Sequence, residues 1–244
     1  MAVSPPRTTR GLESIFASPF YRTQLPNSEA FNLRLKRHLI EWETAPPAND
    51  QTRPSPVRKH NVFESAFDFF YWDDPDVQSL AQFCLNHLGH LIQTLNGYTM
   101  EEMAELRIYH HSWFHLTRQG GYTSYHHHPM ASWSGVYCVD PALSNTAPPA
   151  SGVLRFFDPR VNVGMFVDPG NSYLDSPYAF GALEHIFQAG ELVLFPSYLY
   201  HEVSPYTGSG IRITVAFNAW VRYQDEPALA PGYRRVRQTP SSPG

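Results

Sequence analysis

From Leu106 onward the chain is written in short β-like runs (106–117, 121–128, 133–139, 152–157, 191–195, 200–204 and 211–222) with Gly- and Pro-bearing turns between them. Short strands in such number bury a face only by curling against one another, so a sandwich or jelly roll is expected. Composition agrees. Aromatics reach 14% and prolines number 22, while charged residues are only 16%, which suits a β-rich fold with many loops better than a helical bundle. The connection from Asp158 to Gly190 is long and irregular and is a candidate lid or substrate loop.

The front of the chain reads differently. Residues 1–11 are polar and Pro-rich and are expected to be a disordered tail, and 15–25 has strand-like character. Asn27-Ser28-Glu29 opens a helix carrying Phe31, Leu33, Leu35, Leu39 and Ile40, and 44–58 is a polar, Pro-rich loop. After Asp73-Asp74-Pro75 a second helix spaces Val77, Leu80, Cys84, Leu88, Leu91 and Leu95 by three or four residues, which puts all six on one face, and it stops at Asn96-Gly97. That stripe is core, and it makes Cys84 a buried, inert thiol. The run 69–72, all aromatic, is core or lid hydrophobe before it is a binding patch. The expected organisation is a single domain over 12–224, with helical support at about 27–97, a jelly-roll core at about 105–224 and a loose Pro-rich tail at 225–244.

Net charge is -4 and basic residues do not cluster, which disfavours nucleic acid and a polybasic membrane anchor. No apolar stretch is long enough to span a bilayer. Cys84 and Cys138 are too few for a disulfide framework, so a reduced, cytoplasmic protein is expected.

Twelve histidines are present, and His110, His111, His115, His126, His127 and His128 fall within one short segment. On a β-strand His126 and His128 share a face and His127 points the other way, so the first two can reach one metal ion. A solvated polar loop would carry the same residues. Farther on, an apolar strand ends in Phe195-Pro196, a turn follows, and His201 opens the next strand. In a jelly roll this arrangement brings a late strand beside an early one and can deliver a third ligand. Alone, His201 reads equally well as a half-exposed strand end.

The strand from Ile211 decides between these readings. Ile211, Ile213, Val215 and Phe217 take one face, and Arg212, Thr214 and Asn218 the other. Enclosing an arginine is costly unless an anion meets it. The guanidinium fork suits a carboxylate, and a hydroxyl two residues on adds a third hydrogen bond.

Together these elements resemble the double-stranded β-helix oxygenases that use 2-oxoglutarate and Fe(II). The motifs are His126-His127-His128-Pro129, Ser134-Gly135-Val136-Tyr137-Cys138, Phe195-Pro196-Ser197 with His201, and Arg212-Ile213-Thr214 with Phe217-Asn218. Ile15-Phe16-Ala17-Ser18-Pro19-Phe20 and Asn61-Val62-Phe63-Glu64-Ser65 extend the likeness over about 12–222. The resemblance implies a mainly β, cupin-like jelly roll with N-terminal helices packed on it. It implies iron on His126, His128 and His201, 2-oxoglutarate on Arg212 and Thr214, and O2 as oxidant. A small-molecule substrate, an amino acid or natural-product intermediate, would be oxidised, by default hydroxylated, with release of succinate and CO2.

Two positions depart from the family pattern. Most such enzymes place Asp or Glu two residues after the first His; here His128 stands there, and a carboxylate ligand would have to be Glu184 or Glu191. Cys138 stands where a Tyr often contacts the co-substrate, and Ser134, on the same face, is the expected replacement. His111 and His115 are candidates for the substrate pocket, His110 for a structural role, and Trp113, Trp133 and Tyr137 for pocket or packing. The rivals are a three-histidine cupin dioxygenase that makes no use of 2-oxoglutarate and a non-enzymatic cupin that binds a ligand. An edge strand could also pair two copies into a homodimer.

Overall fold

The computed structural model describes residues 16–45, 57–142, 150–160 and 167–224. The expected tails at 1–11 and 225–244, and most of the loop at 44–58, lie outside them. Among the described residues nine strands form one antiparallel sheet: β1 (Tyr21–Gln24), β2 (Lys59–Glu64), β3 (Leu106–His126), β4 (Trp133–Asp140), β5 (Leu154–Phe157), β6 (Ala182–His185), β7 (Glu191–Pro196), β8 (His201–Val203) and β9 (Arg212–Tyr223). Their order is β1-β7-β4-β9-β3-β8-β5-β6, with β2 also on β3. Three helices accompany them: α1 (Ser28–Thr44), α2 (Pro75–Asn96) and the short α3 (Met100–Ala104).

The expected strands 106–117 and 121–128 are one continuous strand. Its first part pairs with β9 from Leu106↔Tyr223 to Thr117↔Arg212, and its end pairs with β8 at His126↔His201. β3 therefore belongs to both halves of the curled sheet. The Gly120-Gly121 pair bends it without ending it: Gly120 sits at φ 78, and a Cβ on Gly121 would lie 2.7 Å from the carbonyl oxygens of both Asn61 and Arg118.

The helices cover one face of the sheet. α2 is capped by the Asp74 carboxylate, which accepts from the Val77 N–H at 2.9 Å, has Pro75 in its first turn, and stops at Gly97 in the left-handed region. Val77, Leu80, Cys84, Leu88 and Leu91 are buried as the spacing predicts, but Leu95 is 52% exposed. On α1, Leu35 and Leu39 face the core with Asn32, whose Oδ1 accepts the Tyr137 hydroxyl at 2.8 Å, while Leu33 is on the solvent side. Both departures follow from rotation: the face set by the buried residues leaves Leu33 behind, and Leu95 lies in the last turn. Phe69 and Phe70 enter this core on a 3-10 turn, and Tyr137 belongs to it, not to the pocket. No helix among the described residues is long and apolar enough to cross a membrane.

β9 keeps the expected alternation. Ile213, Val215 and Phe217 pack toward the helices, and Arg212, Thr214, Ala216 and Asn218 line the interior. Phe217 is seated by Gly135 opposite it on β4, where a Cβ would come within 2.3 Å of the ring. Gly135→Ala is therefore expected to destabilise the fold by about 1–3 kcal/mol through overpacking, read as a lower denaturant midpoint.

Candidate metal centre and pocket

Three imidazoles from two strand ends meet inside the sheet. His126 ends β3, His201 opens β8 directly opposite, and His128 follows on a backbone held by its N–H to Ser197 O at 3.0 Å. One ring nitrogen from each lies within 4.8 Å of the others. His127 turns the other way, its ring 4.4 Å from that of Tyr200. The two-residue phase thus selects His126 and His128.

Local bonds set which nitrogen is available. His126 Nδ1 lies 2.7 Å from Ser124 O, and His201 Nδ1 lies 2.9 Å from Leu199 O. A carbonyl can only accept, so Nδ1 carries the hydrogen in both rings and Nε2 presents a lone pair. Burial drives all three pKa values down, to about 4 for His126 and about 3 for His128, and well below the usual value for His201. At neutral pH the cluster is three uncharged donors, a set that fits a divalent first-row metal such as Fe(II).

Neither carboxylate considered as an alternative ligand joins them. Glu184 pairs with Arg155 at 2.7 Å, and Glu191 with His185 at 3.2 Å.

A cavity of about 630 Å³ opens beside the imidazoles. Arg212 and Thr214 line it, and both are buried. Arg212 is 4% exposed, no ion pair among the described residues meets it, and burial pushes its pKa down. Its stem is packed by Gly152, at φ 62, where a Cβ would lie 3.1 Å from Arg212 Cδ, and the Phe187 ring centre is 5.7 Å from its charge. Ser134 also lines the cavity. Its hydroxyl donates to Asn218 Oδ1 at 2.8 Å and lies 2.8 Å from Ser197 Oγ, so its hydrogen is already used. Cys138 is fully buried at the end of the same face, and burial lifts its thiol to about 12.

His111, Trp113 and His115 reach the cavity from β3, whereas His110 is stacked on Tyr71 and does not line it, and Trp133 packs on the helix-side core. Sequence reasoning missed Lys59 and Glu64, which line the same cavity from β2. Only their separation carries a signal, and it misleads, as shown below.

Residues 111–218 match the family model described as "Putative 2OG-Fe(II) oxygenase". Over that segment, a little under half of the chain, the sequence is similar to the 2-oxoglutarate/Fe(II) oxygenases. It contains His126, His128, His201, Arg212 and Thr214. No curated protein sequence matches this chain. Among solved structures it is similar to AviO1 from Streptomyces viridochromogenes Tue57 (14% identity, 88% of this chain and 93% of that one, TM-score 0.54). It is similar also to the epimerase SnoN in complex with Fe3+, alpha ketoglutarate and nogalamycin RO (11%, 90% and 90%, 0.55). A third is the non-heme alpha ketoglutarate dependent carbocyclase SnoK from nogalamycin biosynthesis (13%, 85% and 82%, 0.54). At these identities the likeness is one of fold, and the fold is the double-stranded β-helix.

Proposed function

We propose that the protein is an Fe(II)- and 2-oxoglutarate-dependent oxygenase that hydroxylates a small molecule, releasing succinate and CO2, and that 12–224 works as one catalytic domain. The observation that carries this reading is a buried arginine that meets no anion among the described residues, set beside three converging neutral imidazoles. His126, His128 and His201 would hold the iron, which when bound supplies the activation of O2 and the oxidative decarboxylation of the co-substrate.

The chain's own residues do the rest. Arg212 takes the distal carboxylate of 2-oxoglutarate through its fork, and the Thr214 hydroxyl adds a donor from the same face. Three uncharged ligands leave the metal's charge uncompensated, so a dianionic co-substrate is favoured there. Ser134 anchors Asn218 and Ser197 and is a wall of this pocket, not a donor to the co-substrate. Leu154, Phe187 and Phe195 line the cavity and keep water from the reacting centre.

A small molecule suits a cavity of this size. The structurally similar SnoN and SnoK are called an epimerase and a carbocyclase, so hydroxylation is the simplest outcome on this fold and not the only one. Both cysteines are free and buried, which suits a reducing cytoplasm. The test is succinate release from 2-oxoglutarate by the Fe(II)-loaded protein in air without added substrate. Slow, iron-dependent release is expected. An iron-loaded protein that neither binds nor consumes 2-oxoglutarate would instead be a three-histidine dioxygenase, with Arg212 holding the substrate itself.

A further inference from the structure

A second charged cluster lies in the same cavity and takes no part in the metal centre. Lys59 and Glu64 are an odd number of positions apart, which on a regular strand puts them on opposite faces. The register of β2 on β3 shifts between His60 and Val62, with Asn61 at φ 46 and its side-chain amide donating to Gln119 O at 2.8 Å. The surplus residues lie on β3, between Thr117 and Tyr122, and Asn61, unpaired and in the left-handed region, breaks the two-residue alternation of β2, so both charged side chains line the cavity. Glu64 Oε2 then meets Lys59 Nζ at 2.8 Å and His115 Nε2 at 2.7 Å, and all three side chains are largely buried.

Both contacts fall on one oxygen, and no other hydrogen bond reaches the Glu64 carboxylate from the described residues. Oε1 is thus an unused acceptor on the cavity wall. Burial alone would raise the Glu64 pKa, but His115 and Lys59 outweigh it and hold it below the usual value, so the carboxylate is ionised. His115 Nε2 must give its single hydrogen to that carboxylate. The Trp113 indole N–H is directed at the same nitrogen from 3.1 Å; with that nitrogen's hydrogen committed to Glu64 it meets no lone pair there, so an acceptor brought alongside by a ligand would satisfy it.

An acceptor and a donor flanking one imidazole match a hydroxyl group, which gives one hydrogen and takes one. Lys59 already neutralises Glu64, and Arg212 and a bound metal add positive charge, so a neutral hydroxyl suits the site better than an ammonium. The surrounding surface is aromatic: Phe67 stands edge-on to Trp113 at 5.1 Å, and Trp220 lines the same cavity. We propose that Glu64 and Trp113 read a hydroxyl group on a neutral, ring-bearing substrate, which makes Glu64 a specificity-determining residue. This deepens the oxygenase reading and rests on it for the ligand's being a substrate.

The test is calorimetric binding of 2-naphthol and 2-methoxynaphthalene to the full chain at neutral pH. The wild type is expected to prefer the naphthol by about ten-fold, the scale of one charge-assisted hydrogen bond. Glu64→Gln should cut that preference to about three-fold or less, and Trp113→Phe should reduce it while keeping the ring. The double change Lys59→Met/Glu64→Met removes both charges together, stays interpretable if the single variant unfolds, and should abolish the preference. Equal binding of the two probes, binding of neither, or a preference that survives the double change overturns the inference. Succinate release by the wild type, measured without naphthol, tests the oxygenase reading separately. Release without a hydroxyl preference sinks only this proposal, and a preference without release sinks only that reading.

Discussion

His126→Ala and His201→Ala are each expected to abolish Fe(II) binding, and turnover with it. The affinity loss should exceed about 100-fold, the upper range for removing a group that merely supports a ligand. The measurement is anaerobic titration with Co(II), whose visible spectrum reports coordination directly, followed by iron retention after desalting. Each imidazole is pre-set for this role: burial keeps it uncharged, and in His126 and His201 a backbone carbonyl takes the Nδ1 hydrogen. His128→Ala should behave likewise, whereas His127→Ala should retain metal, because its ring packs on Tyr200 outside the cluster. Loss in the His127 variant with retention in the His128 variant would reverse the strand phase and remove the proposed centre. Folding is controlled in each case by the far-ultraviolet circular dichroism of the metal-free protein.

What could be read in advance was whatever depends on local periodicity. The two-residue alternation separates His127 from its neighbours and puts Arg212 on the same face as Thr214, and the helical spacing from Val77 to Leu91 predicts the buried face of α2. What could not be read depends on pairing between distant segments. β2 offers only Val62 and Phe63 as strand formers, and the break at Asn61 inverts the faces that Lys59 and Glu64 would otherwise take. β6 lies inside the stretch read as an irregular connection, and only its ladder with β5 makes it a strand. Gly120-Gly121 reads as a turn until β2 is seen to pair on both sides of it, at Thr117 and at Tyr122. The convergence of the three imidazoles is thus legible from sequence, while the polar wall facing them depends on tertiary register.

Arg212→Met is expected to weaken 2-oxoglutarate binding by about 30-fold to several thousand-fold, the equivalent of the roughly 2–5 kcal/mol lost when one partner of a buried charge pair is removed. It should do so without loss of metal. The stability of the co-substrate-free protein should move the other way or stay unchanged. An arginine that is 4% exposed and meets no anion among the described residues carries a desolvated charge with no return, and a methionine of similar length removes that cost. A purely structural arginine would show the reverse: a lower melting temperature and an unaltered co-substrate affinity. Arg212→Lys should fall between, since a point charge remains but the two-pronged contact is lost. Gly152 supplies a further check on the same contact. With a Cβ 3.1 Å from Arg212 Cδ and the backbone at φ 62, Gly152→Ala must displace either the loop or the arginine stem. A rise in the 2-oxoglutarate KM at constant iron affinity then locates the effect at the guanidinium and not at the imidazoles.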